Sequence, residues 1–134
     1  MKPLVILTNR IHTDGVELLL TLCDVALVST RSVHARHEFA AIARNAAAVL
    51  TASPEHIDES LLAGCRNLRI VACTFRIPEH IDIQACTARG IWVTTVMSRR
   101  HGTEAEIEAA RNILDVLSGD TPRGALNQVL QTAA

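Results

Sequence analysis

A chain of 134 residues with a formal net charge of −1 is one domain by length, large enough to bury a core, and it carries no basic field for nucleic acid or an anionic membrane. It is 49% hydrophobic but only 2% aromatic, with no Tyr, one Trp and two Phe, so its core has to be aliphatic. Apolar runs such as residues 46–50 fall far short of the roughly 20 residues a membrane span needs. The run after Lys2-Pro3 is short, lacks a small-residue cleavage site and reads as a first strand, not a signal peptide. Cys23, Cys65, Cys73 and Cys86 form no closely spaced pair, which points to free buried thiols in a cytoplasmic protein.

Residues 4–7, Leu-Val-Ile-Leu, are a continuous apolar run, the pattern of a strand buried on both faces. Thr13-Asp14 offers a helix N-cap, followed by an apolar stripe of Val16, Leu19, Leu20 and Cys23. Residues 25–28 read as the second strand. A helix over 34–44 follows, with Phe39, Ile42 and Ala43 at helical spacing. The third strand falls at 47–50, then a turn at Ser53-Pro54 and a short helix over 58–63 stopped by Gly64. Residues 68–72 are the fourth strand, 81–89 a helix ended by Gly90, and 91–93 the fifth strand. Residues 97–102 are polar and basic and read as a linker. The rest is one long helix from Thr103, where Thr103 and Glu106 have capping-box spacing. Ile107, Ala110, Ile113, Leu114 and Leu117 make its apolar stripe, Gly119 stops it and Pro122 lies just beyond. Short links between alternating strands and helices require a parallel sheet with helices on both faces. The expected architecture is a single α/β domain, a flavodoxin-like three-layer sandwich with five parallel strands in the order 2-1-3-4-5 plus a long C-terminal helix.

In such a sheet, ligands bind beyond the carboxyl ends of the strands. This directs attention to residues 8–12, 30–32, 51–54, 73–80 and 94–97. The first of these, Thr8-Asn9-Arg10-Ile11-His12, has no Gly to wrap a flavin phosphate. The strand ends lack the acidic cluster and the acceptor Asp of a phospho-receiver. No Gly-x-Gly-x-x-Gly occurs, so a dinucleotide pyrophosphate has no site of the usual form. His34 and His37 lie three apart, but no third ligand at fixed spacing joins them, and no metal site is expected. The strongest candidate is Cys73-Thr74-Phe75-Arg76-Ile77-Pro78-Glu79-His80. Arg76 can hold an oxyanion in bidentate fashion, with the amides opening the next helix adding partial positive charge. Glu79 is a competing ion-pair partner for Arg76. His80 is a base only if an acid orients it.

Three stretches together carry a resemblance: residues 4–12; Cys65-Arg66-Asn67-Leu68-Arg69-Ile70-Val71; and residues 82–93, which include Ala85-Cys86-Thr87-Ala88-Arg89-Gly90. With the tail positions Asn112, Gly119, Pro122 and Asn127, the chain resembles the substrate (catalytic) domain of the D-isomer-specific 2-hydroxyacid dehydrogenases, with the phosphite dehydrogenases the most similar branch. The similarity covers about residues 3–96 and 103–127. It implies an NAD-dependent oxidoreductase family, in which an NAD-binding domain stands where this chain has only residues 97–102. It also implies substrate-binding roles for Arg76, at the family's basic loop position, and for Ser53, with Thr74, Ile77 and His80 lining the same loops. The family has Gly where this chain has Ile77 and Asn where it has His80, whereas Asp82 is retained. Ile resists the positive φ that Gly permits, and Pro78 biases it toward extended backbone, so the loop is expected to differ in shape. The family's catalytic Arg, Glu and His lie in or after the NAD domain. No catalytic residue and no cofactor are therefore expected on this chain alone. The expected ligand is a small oxyanion or a 2-hydroxy or 2-oxo acid. Apolar surface near residues 94–97 points to a homodimer or a partner subunit, including the partner half of a split oxidoreductase.

Overall fold

The computed structural model describes residues 2–28, 33–52, 55–97 and 102–129. The order of elements is β1 (Leu4–Leu7), α1 (Thr13–Leu20), β2 (Asp24–Leu27), α2 (Val33–Ala43), β3 (Ala48–Thr51), α3 (Glu59–Leu62), β4 (Ile70–Cys73), α4 (Ile83–Ala88), β5 (Trp92–Thr94) and α5 (Thr103–Leu117). The five strands form one parallel sheet in the order β2-β1-β3-β4-β5, as the alternation predicts. Strand limits move by one or two residues from those read in the sequence, because the neighbouring ladder sets them. β4, for instance, begins at Ile70 opposite Ala48, leaving Arg69 outside. Ile81 bridges in parallel to Ile57 before Asp82 opens α4, so the helix starts two residues later than its apolar pattern suggests.

Successive strand residues point to opposite faces, and the core divides accordingly. Ile6, Val49, Val71 and Val93 pack with Phe39, Ala43, Leu62 and Cys86 on the α2, α3 and α4 side. Val5, Leu7, Leu50, Ile70, Ala72 and Trp92 pack with Leu19, Ala109, Ile113 and Val116 beneath α1 and α5. No large aromatic cluster is needed: branched aliphatics and Ala fill both layers.

Two caps differ from the sequence reading. The N-cap of α1 is His12, whose Nδ1 accepts the Asp14 N–H at 3.1 Å; Thr13 is already helical. The capping box at Thr103 does not form. Gly102, at φ 99°, holds the N-cap position of α5 without a side-chain cap. Glu106 turns away to accept the His12 backbone N–H at 2.9 Å, tying the start of α5 to the β1–α1 loop. The buried stripe of α5 is also rotated from the expected one. Ala105, Ala109, Ala110, Asn112, Ile113 and Val116 are buried, whereas Ile107, Leu114 and Leu117 are only half-buried. Small residues win the inner face because α5 lies close against the sheet. Leu20, placed on the inner stripe of α1 by spacing, is 46% exposed. Gly119, at φ 88°, ends α5 as predicted.

Beyond α5 the chain returns along the outer edge of β5. Leu126 N donates to Val93 O at 2.8 Å, Thr95 N to Gly124 O at 2.9 Å, and Val93 N to Asn127 Oδ1 at 2.9 Å. The buried amide of Asn112 closes this return. Its Nδ2 donates to Thr95 O at 3.3 Å and its Oδ1 accepts Gly124 N at 3.2 Å. A Cβ at Gly124 would lie 2.1 Å from Thr95 O, so only glycine fits. Gly124→Ala is therefore expected to push the tail off β5 and destabilise the fold by about 1–3 kcal/mol, the usual cost of overpacking, measured as a shift of the urea unfolding midpoint. Wild-type stability in this variant would refute the tight return.

Candidate functional site

The parallel sheet sends the ends of β1, β3, β4 and β5 toward one side, and the N-terminus of α5 arrives there too. Asn9, Arg10, Ala52, Thr74, Phe75, Gly102, Ala105 and Glu106 enclose a cleft of about 220 Å³ at that end. Thr8 Oγ1 accepts the Ala52 N–H at 3.1 Å and Thr74 N donates to Thr51 O at 3.2 Å, which fixes the strand ends to one another. Arg10 brings the guanidinium. The carboxylate of Glu106 is engaged by His12 N. Among the described residues neither Arg10 nor Arg76 is in an ion pair.

The residues singled out in the sequence fall as follows. Thr74 is half-buried and lines the cleft. Arg76 is exposed and stands outside the lining, with its carbonyl accepting the Thr95 hydroxyl at 3.1 Å. Glu79 forms no ion pair with it. Ile77 is 72% exposed, and no described residue other than glycine has positive φ. The backbone at Ile77 therefore avoids the left-handed geometry that a glycine there would permit. Of the amides opening α4, that of Ala85 is taken by the side chain of Asp82, which caps the helix at 2.9 Å. Ser53 and His101 lie outside the described residues, and the side chain of His34 is likewise not described. All four cysteines are buried. Burial pushes the Cys73 thiol up to about 11 and the Cys86 thiol up to about 12, so neither supplies a thiolate nucleophile.

An acid lies one hydroxyl away from His80, an arrangement that no spacing revealed. Thr51, at the end of β3, donates its hydroxyl to Glu55 Oε1 at 2.6 Å and stands 3.0 Å from His80 Nε2. Glu55 is 8% exposed and Thr51 fully buried. The Phe75 ring meets the His80 ring edge-on, with centroids 5.6 Å apart. Arg10, Thr51 and Glu55 are the residues that sequence reasoning missed. Arg10 and Thr51 sit within segments flagged by position alone, and an acid four residues after a strand-end Thr follows no general rule.

Burial holds the His80 imidazole below its ordinary value of 6.5, with Glu55 pulling it back up and His56 pushing it further down. The unfolded chain then binds the proton at higher pH than the folded one. The stability this contributes is fully present above about 6.5 and is lost as the pH falls from there through the folded value. The urea midpoint is expected to decline below that pH, and the His80→Asn variant to decline less steeply. An identical pH profile in the variant would contradict the burial of this ring.

The chain is an α/β domain of the open parallel-sheet kind, an architecture in which ligands bind beyond the strand carboxyl ends, and Arg10 and several polar side chains stand at that end here. A family model of the D-isomer specific 2-hydroxyacid dehydrogenase catalytic domain matches residues 5–127, and the chain belongs to that family. It is 29% identical over 94 residues to a glyoxylate reductase of Thermococcus litoralis, covering 70% of this chain and 28% of the relative. A glyoxylate reductase of Thermococcus kodakarensis is 31% identical over 94 residues, with the same coverage. The crystal structure of the PH0520 protein of Pyrococcus horikoshii shares the fold, with a TM-score of 0.65 at 23% identity, covering 72% of this chain and 28% of that one. The chain thus spans 28% of the length of the curated relatives it matches. No helix of the described residues is long and apolar enough to cross a membrane.

Proposed function

We propose that this chain is a substrate domain of the D-2-hydroxyacid dehydrogenase family standing without a dinucleotide domain. It binds a small oxyanion or a 2-hydroxy or 2-oxo acid at the carboxyl end of its sheet and is catalytically incomplete alone. The observation that carries the reading is the cleft itself, which Arg10 lines without an ion-pair partner among the described residues; the exposed loop cation Arg76, outside the lining, is likewise in no ion pair among them. Guanidinium groups suit planar oxyanions because their paired N–H donors match two acceptor oxygens.

A dinucleotide does not fit the residues present. The loop after β1 has no glycine through His12, and the first amides of α1 are taken by the His12 ring and its carbonyl. A pyrophosphate needs those donors free and the backbone able to approach. No hydride-transfer step is therefore assigned to this chain. The names of the relatives favour glyoxylate-like ligands, whereas the Ala85–Gly90 stretch favours phosphite. Isothermal titration with phosphite, glyoxylate, pyruvate and lactate separates these. Arg10→Ala and Arg76→Ala are each expected to weaken binding roughly tenfold to a hundredfold, the worth of one hydrogen bond to a charged group. Absence of heat with all four ligands at millimolar concentration would sink the binding reading.

A second reading, of an interaction protein or one half of a two-chain oxidoreductase, draws on Ile77 and Met97. They are 72% and 74% exposed near the carboxyl end of the sheet, where an apolar surface favours a second copy or partner subunit. Sedimentation is expected to show association that Met97→Glu reduces. A clean monomer at high concentration would exclude the homodimer.

A further inference from the structure

A second groove, which shares no lining residue with the cleft, lies where the C-terminal return meets α5. It has a volume of about 580 Å³ and is walled by Glu108, Arg111 and Asp115 of α5, by Arg123 of the return, and by Met97 and Leu114. Spacings of three and four residues put positions 108, 111 and 115 on one face of the helix. Buried Asn112 and Gly124 also line the groove, and the Asn112 Oδ1 accepting Gly124 N–H at 3.2 Å fixes them to each other. A helix face written acid, cation, acid ordinarily neutralises itself, and this one does not. Glu108 stands three residues before Arg111, the favourable order for a pair, but its carboxylate accepts the Met97 N–H. Asp115 stands four residues after Arg111, the less favourable order, with the cation on the N-terminal side. Among the described residues Arg111, Arg123 and Asp115 are in no ion pair. Both arginines are exposed and Asp115 is half-buried. The groove therefore offers two guanidiniums from two different segments and one carboxylate outside any ion pair, in a volume of the size that holds small molecules.

We propose that this groove binds an acidic α-amino acid, with the two carboxylates of the ligand on Arg111 and Arg123 and its ammonium on Asp115. A guanidinium takes a carboxylate through paired N–H donors, and an ammonium donates to a carboxylate that only accepts. A plain dicarboxylate satisfies the arginines but brings like charge to Asp115 and Glu108. A diamine satisfies Asp115 but brings like charge to the arginines. A zwitterion with a second carboxylate answers all three groups, and Leu114 and Met97 give its methylenes an apolar wall. The site is separate from the carboxyl-end cleft and does not rest on the oxyanion reading of that cleft.

The test combines isothermal titration of the whole chain with amide NMR of ¹⁵N-labelled protein, using L-glutamate, glutarate and L-glutamine. L-glutamate is expected to bind and to move the amide resonances of residues 111–115 and 123–124, leaving those of Arg10 and Thr74 at the cleft in place. Glutarate, which lacks the ammonium, and L-glutamine, which lacks the second carboxylate, should each bind roughly tenfold more weakly, the scale of one hydrogen bond to a charged group. Asp115→Asn should erase the advantage of glutamate over glutarate. Arg111→Gln and Arg123→Gln should each weaken glutamate, and one of the two should erase its advantage over glutamine. Arg66→Gln, which removes an exposed cation outside the groove, should change nothing. Equal affinity of the wild type for glutamate and glutarate overturns the proposal, as does a preference that survives in Asp115→Asn. A loss in Arg66→Gln equal to that in Arg123→Gln reduces the binding to general charge attraction and overturns it too. Shifts confined to the cleft, or no heat and no shifts at millimolar glutamate, overturn the groove site and leave the oxyanion reading of the cleft to its own titration.

Discussion

Thr95 is the point at which the sheet, the candidate loop and the C-terminal segment are fixed to one another, and every polar group it has is committed. Its N–H goes to Gly124, its carbonyl accepts the Asn112 amide, and its hydroxyl donates to the carbonyls of Phe75 and Arg76. Unpaired polar groups in a buried position are costly, so these contacts stand or fall together. Through them the register of α5 against β5 decides where the Arg76 loop sits. Arg69 Nη2 donating to Val116 O at 2.8 Å anchors the far end of the same helix, where a cation also suits the helix dipole. Between these two anchors α5 covers one face of the sheet and brings its N-terminus to the cleft.

The fold was legible because its information is local and repeated. Runs such as Leu4-Val5-Ile6-Leu7 and Ile70-Val71-Ala72-Cys73 are apolar at every position, which only a strand buried on both faces requires. Gly90 and Gly119 mark helix ends by chemistry that leaves little choice. What was misread depends on partners distant in sequence. Glu106 has the spacing of a capping box with Thr103 but is claimed by His12, 94 residues away in the chain. The inner stripe of α5 is chosen by close approach to the sheet, which favours Ala105 and Ala109 over Ile107 and Leu114. Periodicity alone ranks those residues in the opposite order.

The candidate site was legible only as a place. The parallel topology directs attention to the strand carboxyl ends, and Thr74 and His80 stand there. Their chemistry was not readable, because it is made between elements. Thr51 ends one strand, Glu55 lies four residues further on and His80 belongs to a different loop, so no linear spacing encodes the hydrogen-bonded row they form. Arg76 illustrates the converse. Its charge and position in the loop drew notice, yet the structure leaves it in solvent while Arg10 lines the cleft.

The placement of the thiols has a consequence for how the molecule opens. Cys23 belongs to the layer under α1 and α5, whereas Cys65, Cys73 and Cys86 belong to the layer on the opposite face of the sheet. All are buried, and burial suppresses ionisation of each. An alkylating reagent can reach any of them only during a local or global opening event. The chain therefore carries a chemical clock on each side of its sheet: the rate at which Cys23 is modified reads the breathing of the helix pair, and the rates of the other three read the opposite layer, without any label being introduced.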